Sequence, residues 1–249
     1  MDLNLKGKVA LVTGSSRGIG FSIAYLLAQE GCKVVLNGRN KVALQAAAKK
    51  IYASQYVVGD VTTEGGAFET VEQTITIHGQ LDILICNVGS GASLPPGTED
   101  MGEWLRVFGL NLLATTNTVF SARPYLSRTS GVILCMSSIC GLTAVDGAPV
   151  AYSASKAALN SFVTTSSRHL AKEKIRINAL APGIILFEGS SWEQKLAADQ
   201  NAVTAKIKKE VALGRFGQAD EVASMAVFLC SDRASFATGS IFVLDGGQL

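Results

Sequence analysis

The sequence has little of what marks a secreted, membrane-bound or metal-dependent protein. Among its 249 residues are only two histidines, His78 and His169, far apart and matching no ligand spacing, so no metal site is expected. The five cysteines (Cys32, Cys86, Cys135, Cys140 and Cys230) form no CxxC pair and mostly lie in apolar surroundings. They read as small buried hydrophobes in a reducing compartment, which argues against a disulfide framework and for a cytoplasmic location. No apolar run reaches bilayer-spanning length. The opening MDLNLKGKVALVTG is polar where a secretory leader would need its apolar stretch, so no membrane association is expected. A formal charge of +2 is too small to suggest nucleic acid as a partner. Low-complexity tracts, Pro/Ser linkers, charge blocks and internal repeats are also missing. What remains is a chain 48% hydrophobic, ample for a sizeable core, that reads as a single domain over 1–249.

Short apolar runs alternate with longer helical patterns. Strands are expected at 8–13, 33–36, 56–58, 82–86, 131–137, 175–180 and 240–244, with helices at 18–30, 42–51, 64–78 and 220–229. The run 99–127 reads as mostly helical and bent near Pro124; 184–213 reads as irregular with some helix. Strands that are apolar throughout and separated by helices make a parallel sheet covered on both faces. Right-handed crossovers then give an α/β, Rossmann-type, doubly wound parallel sheet of about seven strands.

Between the first strand and the first helix lies Thr13-Gly14-Ser15-Ser16-Arg17-Gly18-Ile19-Gly20. Its glycines let the backbone turn tightly and approach a pyrophosphate seated at the helix N-terminus. The spacing is G-x-x-x-G-x-G rather than G-x-G-x-x-G. A second strand that serves NAD normally ends in an acid for the ribose 2′-hydroxyl. This one ends Leu36-Asn37-Gly38-Arg39, with no acid. Arg17 and Arg39 would favour a 2′-phosphate if they converge there, the alternative being two solvated surface arginines. NADP(H) is therefore favoured, with NAD(H) still open. Asp60, followed by Val61, ends the third strand on the adenine side. Asn87-Val88-Gly89 ends the fourth on the same sheet edge.

Tyr152 and Lys156 fall four apart in APVAYSASKAALNSFV, a run that favours helix, so they stack on one face. A nearby ammonium would stabilise the phenolate and lower the phenol pKa from about 10, making a general acid/base. Read alone, the pair fits a surface Tyr beside a solvated Lys better.

Taken together, TGSSRGIG, GDVT, CNVG, Asn111, Ser137-Ser138, YSASK, Ala181-Pro182-Gly183 and the C-terminal GRFGQADEVASMAVFLCSDRASFATGSIFVLDGG resemble the short-chain dehydrogenase/reductase family over essentially the whole chain. The general look is nearest to its 3-oxoacyl-(acyl-carrier-protein) reductase-like branch. The resemblance implies four catalytic residues. Tyr152 would protonate the carbonyl oxygen, and Ser138 would orient it. Lys156 would hold the nicotinamide ribose and depress the Tyr152 pKa, and Asn111 would shape its helix for a water relay. It also implies that cofactor contacts come from Gly14, Ser16, Arg17, Gly18, Ile19, Gly20, Arg39, Asp60, Val61, Asn87, Gly89, Tyr152, Lys156, Pro182, Gly183 and Ile185. The family's homotetramer surfaces match the segments around Asn111, the Tyr152 helix and the C-terminus.

Three departures stand out. Cys86 and Val88 replace an Asn and an Ala, and Val88 is expected to crowd the adenine-ribose side. Phe187 stands where the family usually has a Thr four residues past Gly183. The segment 184–213, the expected substrate lid, looks longer than usual and carries Trp192, Lys195, Lys206, Lys208 and Lys209; its lysines fit a solvated helix better than an anionic substrate. The leading expectation is an NADP(H)-dependent oxidoreductase interconverting a small-molecule carbonyl and a secondary alcohol, with a carrier-bound 3-oxoacyl thioester as one substrate. The alternatives are an NAD(P)-dependent sugar or polyol dehydrogenase and a non-catalytic cofactor-binding interaction protein.

Overall fold

The computed structural model of the chain describes residues 1–52 and 54–249. In chain order the elements are β1 (Val9–Val12), α1 (Gly18–Gln29), β2 (Lys33–Gly38), α2 (Lys41–Lys50), β3 (Gln55–Val58), α3 (Glu64–His78) and β4 (Ile83–Cys86). There follow α4 (Met101–Phe108), α5 (Ala114–Thr129), β5 (Val132–Met136), α6 (Val150–Ala171), β6 (Arg176–Pro182) and β7 (Ile185–Leu186). The chain ends with α7 (Ser191–Ala198), α8 (Gln200–Glu210), β8 (Gly217–Gln218), α9 (Ala219–Cys230) and β9 (Ile241–Leu244).

Seven strands form one sheet in the order β3-β2-β1-β4-β5-β6-β9, and every neighbouring pair is parallel. The two-residue strands β7 and β8 pair separately. Strand alternation sends Ala10, Val12, Leu36, Ile83, Ile85 and Leu134 to one face, where they pack with α1 and α9. Val9, Leu11, Val35, Leu84, Ile133 and Cys135 go to the other, where α3, α5 and α6 cover them. Residues of β1, β4 and β5 are therefore buried on both sides, which is why those runs are apolar without alternation.

Helix starts follow local chemistry. Asn40, Thr63, Asp100, Ser190 and Asp199 each accept a hydrogen bond from the backbone N–H three residues on, capping α2, α3, α4, α7 and α8. α6 begins at Pro149 and is capped from a distance: the Glu99 carboxylate accepts from the Val150 and Ala151 amides at 2.6 and 3.2 Å. Pro124, where a bend is expected, does not end the helix. Pro124 lies within α5, and the change of winding comes earlier, in a π-helical turn over Gly109–Leu113 between α4 and α5. Its cause is tertiary: Asn111, fully buried, is drawn onto Ser90, accepting from its N–H at 3.0 Å and donating to its carbonyl at 3.1 Å. The segment 184–213 is more regular than expected, mostly the two helices α7 and α8.

The strand order reverses between β1 and β4, so a crevice opens beyond their C-terminal ends, the position where such sheets bind ligands.

Candidate active site

The loop after β1 is built for close approach. Gly14 and Gly18 have φ of +62° and +60°, a region that L side chains enter at a cost. Gly20 faces a tighter limit. A Cβ there would lie 2.4 Å from Asn87 Nδ2 and 2.7 Å from the Gly14 carbonyl. Asn87 donates to the carbonyls of Thr13 and Gly14 at 3.1 and 3.0 Å, so its carboxamide holds the loop rather than reaching out of it. The Arg17 side chain does not cap α1, and the first turn of that helix has no acid. The leading amides of α1 thus have no intrahelical acceptor, which suits an anion such as a pyrophosphate.

This loop opens on a groove of about 460 Å³. Gly14, Arg17, Gly18, Ile19, Gly20, Asn87, Gly89, Tyr152, Lys156, Pro182, Gly183 and Ile185 all line it, as the sequence led one to expect, together with Ser138. Ser16, Arg39, Asp60 and Val61 do not. Val61 is buried with Ala67 and Ala114, and the half-buried Val88 packs onto this cluster while its Cγ2 also stands against the glycine loop, 3.1 Å from where a Cβ on Gly14 would lie. Arg17 and Arg39 do not meet on one point either. Arg17 Nη1 reaches the Gly189 carbonyl at 3.5 Å, while Arg39 pairs with the Asp60 carboxylate at 3.6 Å. Burial raises the Asp60 carboxyl, but hydrogen bonds from Thr62 and the Arg39 charge outweigh it and hold the group below its usual value.

At the far end of the groove three side chains come together. Tyr152 and Lys156 stand one turn apart on α6, and Lys156 Nζ lies 5.9 Å from the Tyr152 ring centre. Ser138 follows β5 and caps a short 3₁₀ turn, Ile139–Gly141, accepting from the Cys140 amide at 3.2 Å. That turn is pinned to α6 at two points. Asn160 donates to the Gly141 carbonyl at 3.1 Å and accepts from Ser137 Oγ at 2.5 Å. Gly141 also rests on the α6 backbone, since a Cβ there would come within 2.6 Å of the Lys156 carbonyl carbon. Asn160 escaped the sequence reading, although its place four residues after Lys156 puts it on the same helix face.

Lys156 is 3% exposed and donates to the Met136 carbonyl at 2.7 Å. Gly89 passes between it and Asn111: a Cβ at Gly89 would lie 2.8 Å from Asn111 Oδ1 and 3.1 Å from Lys156 Nζ. The electrostatics differ from the sequence expectation. Burial pushes the Tyr152 phenol up to about 12, and the Ser138 hydroxyl offsets only part of this. Burial brings Lys156 down to about 8. Desolvation, not the Lys156 charge, sets the Tyr152 proton in the protein alone, because the ammonium is aimed at Met136. The phenol is therefore a firmly protonated donor at neutral pH.

A second cavity of about 600 Å³ lies beside the groove, walled by the 3₁₀ turn, α7, α8 and the C-terminus. Ser138 and Tyr152 line both spaces; Lys156 lines only the groove. Chemically, one chamber can hold a dinucleotide against the glycine loop, the other a small molecule. A proton donor and a hydroxyl stand where they meet.

Comparison with known proteins agrees with this geometry. The family model described as enoyl-(acyl carrier protein) reductase matches residues 14–248. The 3-oxoacyl-[acyl-carrier-protein] reductase of Aquifex aeolicus is 34% identical, covering 100% of both chains. The L-sorbose reductase of Gluconobacter frateurii, solved with NADPH and L-sorbose, superposes with a TM-score of 0.94 at 32% identity, over 100% of this chain and 99% of that one. The NADP active-site complex of Pseudomonas aeruginosa RhlG gives 0.92 at 29% identity, over 99% and 98%.

Proposed function

The chain belongs to the short-chain dehydrogenase/reductase family, and on that premise we propose that it interconverts a carbonyl and a secondary alcohol with NADP(H), using Tyr152 as proton donor. The observation that carries this reading is that Tyr152 and Ser138 line both chambers at once. The nicotinamide cofactor, when bound, supplies or takes the hydride. The chain's residues do the rest. The glycine loop and the unpartnered amides of α1 suit the pyrophosphate, and the raised Gly14 and Gly18 φ values make room for it. Arg17 at the loop and Arg39 at the end of β2 would meet the 2′-phosphate once Arg17 leaves the Gly189 carbonyl and Arg39 leaves Asp60. Lys156, beside Gly89 and Asn111, holds the ribose on the nicotinamide side.

Ser138 Oγ donates to the carbonyl oxygen and fixes its direction. Tyr152 then gives its proton as negative charge develops there. In the oxidative direction the phenolate takes the alcohol proton. A phenol raised to about 12 favours reduction at neutral pH; Lys156, turned from Met136 toward Tyr152, would ease the reverse step.

Two substrate classes fit this chemistry: a 3-oxoacyl thioester, as in the name of the Aquifex relative, and a sugar-like ketone, as in the Gluconobacter complex. The shape of 184–213, with α7 and α8 over the second cavity, supports its role as the substrate lid. A cytoplasmic homotetramer belongs to the same reading. Free thiols at all five cysteines support the compartment, and no helix among the described residues is long and apolar enough to cross a membrane. Apolar side chains left bare on α4 and α5, among them Leu105 and Phe120, support self-association. The decisive assay is NADPH oxidation at 340 nm with a panel of ketones; a well-folded protein that binds NADPH and reduces none of them refutes the catalytic reading.

A further inference from the structure

The second cavity has an apolar side, with Ile139, Val145, Pro149, Ile184 and Val203, and a charged side. Three carboxylates, Asp146, Asp199 and Glu210, face two ammonium groups, Lys195 and Lys206. Lys206 pairs with Glu210 at 2.6 Å, and Lys195 stacks 4.5 Å over the Trp192 ring. The wall therefore holds no excess positive charge with which to retain a phosphate or a carboxylate. The lining it shares with Tyr152 also includes the Trp192 ring, one face of which Lys195 covers, and a carboxamide, Gln248.

Gln248 is delivered there by a tight C-terminal turn. Asp245 clasps the residues on either side, its two carboxylate oxygens accepting from the Gly247 and Leu249 amides at 2.9 and 2.8 Å. Gly246 and Gly247 turn the chain with φ of +66° and +79°. The turn is fastened to the body of the molecule at both ends, by Gly183 N–H to the Leu244 carbonyl at 3.0 Å and by Leu213 N–H to the Gly246 carbonyl at 3.0 Å. The carboxamide thus lies against Gly183, so close that a Cβ on that glycine would be 2.8 Å from Oε1.

This placement leaves the oxygen of the half-buried carboxamide without a partner. Among the described residues Oε1 is buried with no hydrogen-bond partner, and Nε2 makes no bond to the protein. A buried polar group left this way is costly, so it is a place where a ligand gains. A half-turn of the amide exchanges its donor and acceptor ends. The group that satisfies it in either orientation is one that both donates and accepts. A hydroxyl does this; a thioester carbonyl or a carboxylate only accepts.

Resting on the carbonyl-reductase reading above, we propose that Gln248 is a specificity-determining residue that hydrogen-bonds a hydroxyl of the substrate. The substrate class is then a neutral polyhydroxylated ketone, its product the corresponding polyol. Trp192 covers the C–H face of such a molecule, Gln248 and the wall carboxylates take its hydroxyls, and Tyr152 and Ser138 meet its carbonyl.

The test compares kcat/KM with NADPH for D-fructose, L-sorbose, 2-hexanone and acetoacetyl-coenzyme A in the full-length protein and in Gln248→Leu, with Gln248→Ala as the second variant should the leucine disturb folding. Thermal melting checks that each variant is folded. One lost neutral hydrogen bond is worth about 3–10-fold. The expected result is a ketohexose preference in the unmodified protein, with kcat/KM for the ketohexose falling by about that factor in the variants, through KM, while 2-hexanone is unaffected. Equal losses for all substrates, or no loss for the ketohexose, overturn the proposal. Reduction of acetoacetyl-coenzyme A or 2-hexanone but of neither ketohexose overturns it and leaves the carbonyl-reductase reading intact. Failure with all four overturns both.

Discussion

Gly20→Ala and Gly65→Ala are the same chemical change with opposite expected signs. Both glycines lie in the first turns of helices, Gly20 in α1 and Gly65 in α3. Alanine is the better helix former by about 1 kcal/mol, and that gain is common to both sites. At Gly65 a Cβ meets nothing within 4 Å, so the gain is kept. At Gly20 the new carbon would sit 2.7 Å from the Gly14 carbonyl and 2.4 Å from Asn87 Nδ2. Neither atom is the free end of a flexible chain: one is backbone, and the other is bonded to the Thr13 and Gly14 carbonyls. Overpacking of this kind costs about 1–3 kcal/mol, and contacts this short belong at the upper end. The net for Gly20→Ala is a loss of about 2 kcal/mol. For a chain of this size each kcal/mol moves Tm by about 2–4 °C. Thermal melting should therefore show Gly65→Ala about 2–4 °C above the unmodified protein and Gly20→Ala about 4–8 °C below it. Isothermal titration should show weakened NADPH binding only for Gly20→Ala, because the displaced Gly14 backbone belongs to the groove. A Gly20→Ala protein with unchanged Tm and unchanged NADPH affinity would refute the claim that α1 and β4 approach too closely there for any side chain.

Tyr152→Phe should lower turnover by about 10²–10⁴-fold and leave NADPH affinity nearly unchanged, since it removes the proton donor and keeps the ring; near-normal turnover would mean that another group gives the proton. Lys156→Ala should lose turnover and NADPH affinity together, and titration showing full affinity would end its ribose role. With Lys156 at about 8 in the protein alone, kcat/KM for reduction should be level below pH 8 and fall above it as the ammonium is lost. Over pH 8 to 10.5 the Lys156 contribution to stability should instead rise, because the unfolded chain keeps a proton that the folded one has released. A rate level to pH 10 would show that the Lys156 charge is not needed. Arg39→Asp should narrow or invert the preference for NADPH over NADH in binding titrations, and an unchanged ratio would leave the 2′-phosphate to Arg17 alone.

The seven strands were legible because burial on both faces leaves only apolar residues in β1, β4 and β5, whatever the tertiary detail. The glycine loop and the Tyr152–Lys156 spacing were legible for a similar reason, since each is a local pattern whose geometry follows from one element. The π-helical turn was not, because nothing within Gly109–Leu113 demands it; it exists where Asn111 is captured by Ser90, 21 residues away. The contacts of Val88 were not legible either, because a strand-end side chain settles on the cluster it finds, here Val61, Ala67 and Ala114. The effect of Lys156 on Tyr152 was assigned to charge alone, whereas burial decides the phenol and the ammonium is held elsewhere. Gln248 could not be picked out at all: its position depends on Asp245 and Gly183 meeting in space.

Phe187, where the family resemblance implies a threonine, has a consequence for how this sequence can change over generations. Its ring lies against Gly18, so that a Cβ there would come within 2.6 Å of Phe187 Cε2. Arg17 bonds to the Gly189 carbonyl, and the next residues lead straight to Trp192 on the substrate wall. Positions 17 and 18 are thereby tied to 187 and 189. A lineage that adopts a new substrate by reshaping α7 inherits a disturbance at the phosphate loop, and one that alters the loop disturbs the substrate wall. Sequences close to this one should therefore vary at these four positions in concert, with Phe187 exchanged only alongside a compensating change at 17, 18 or 189.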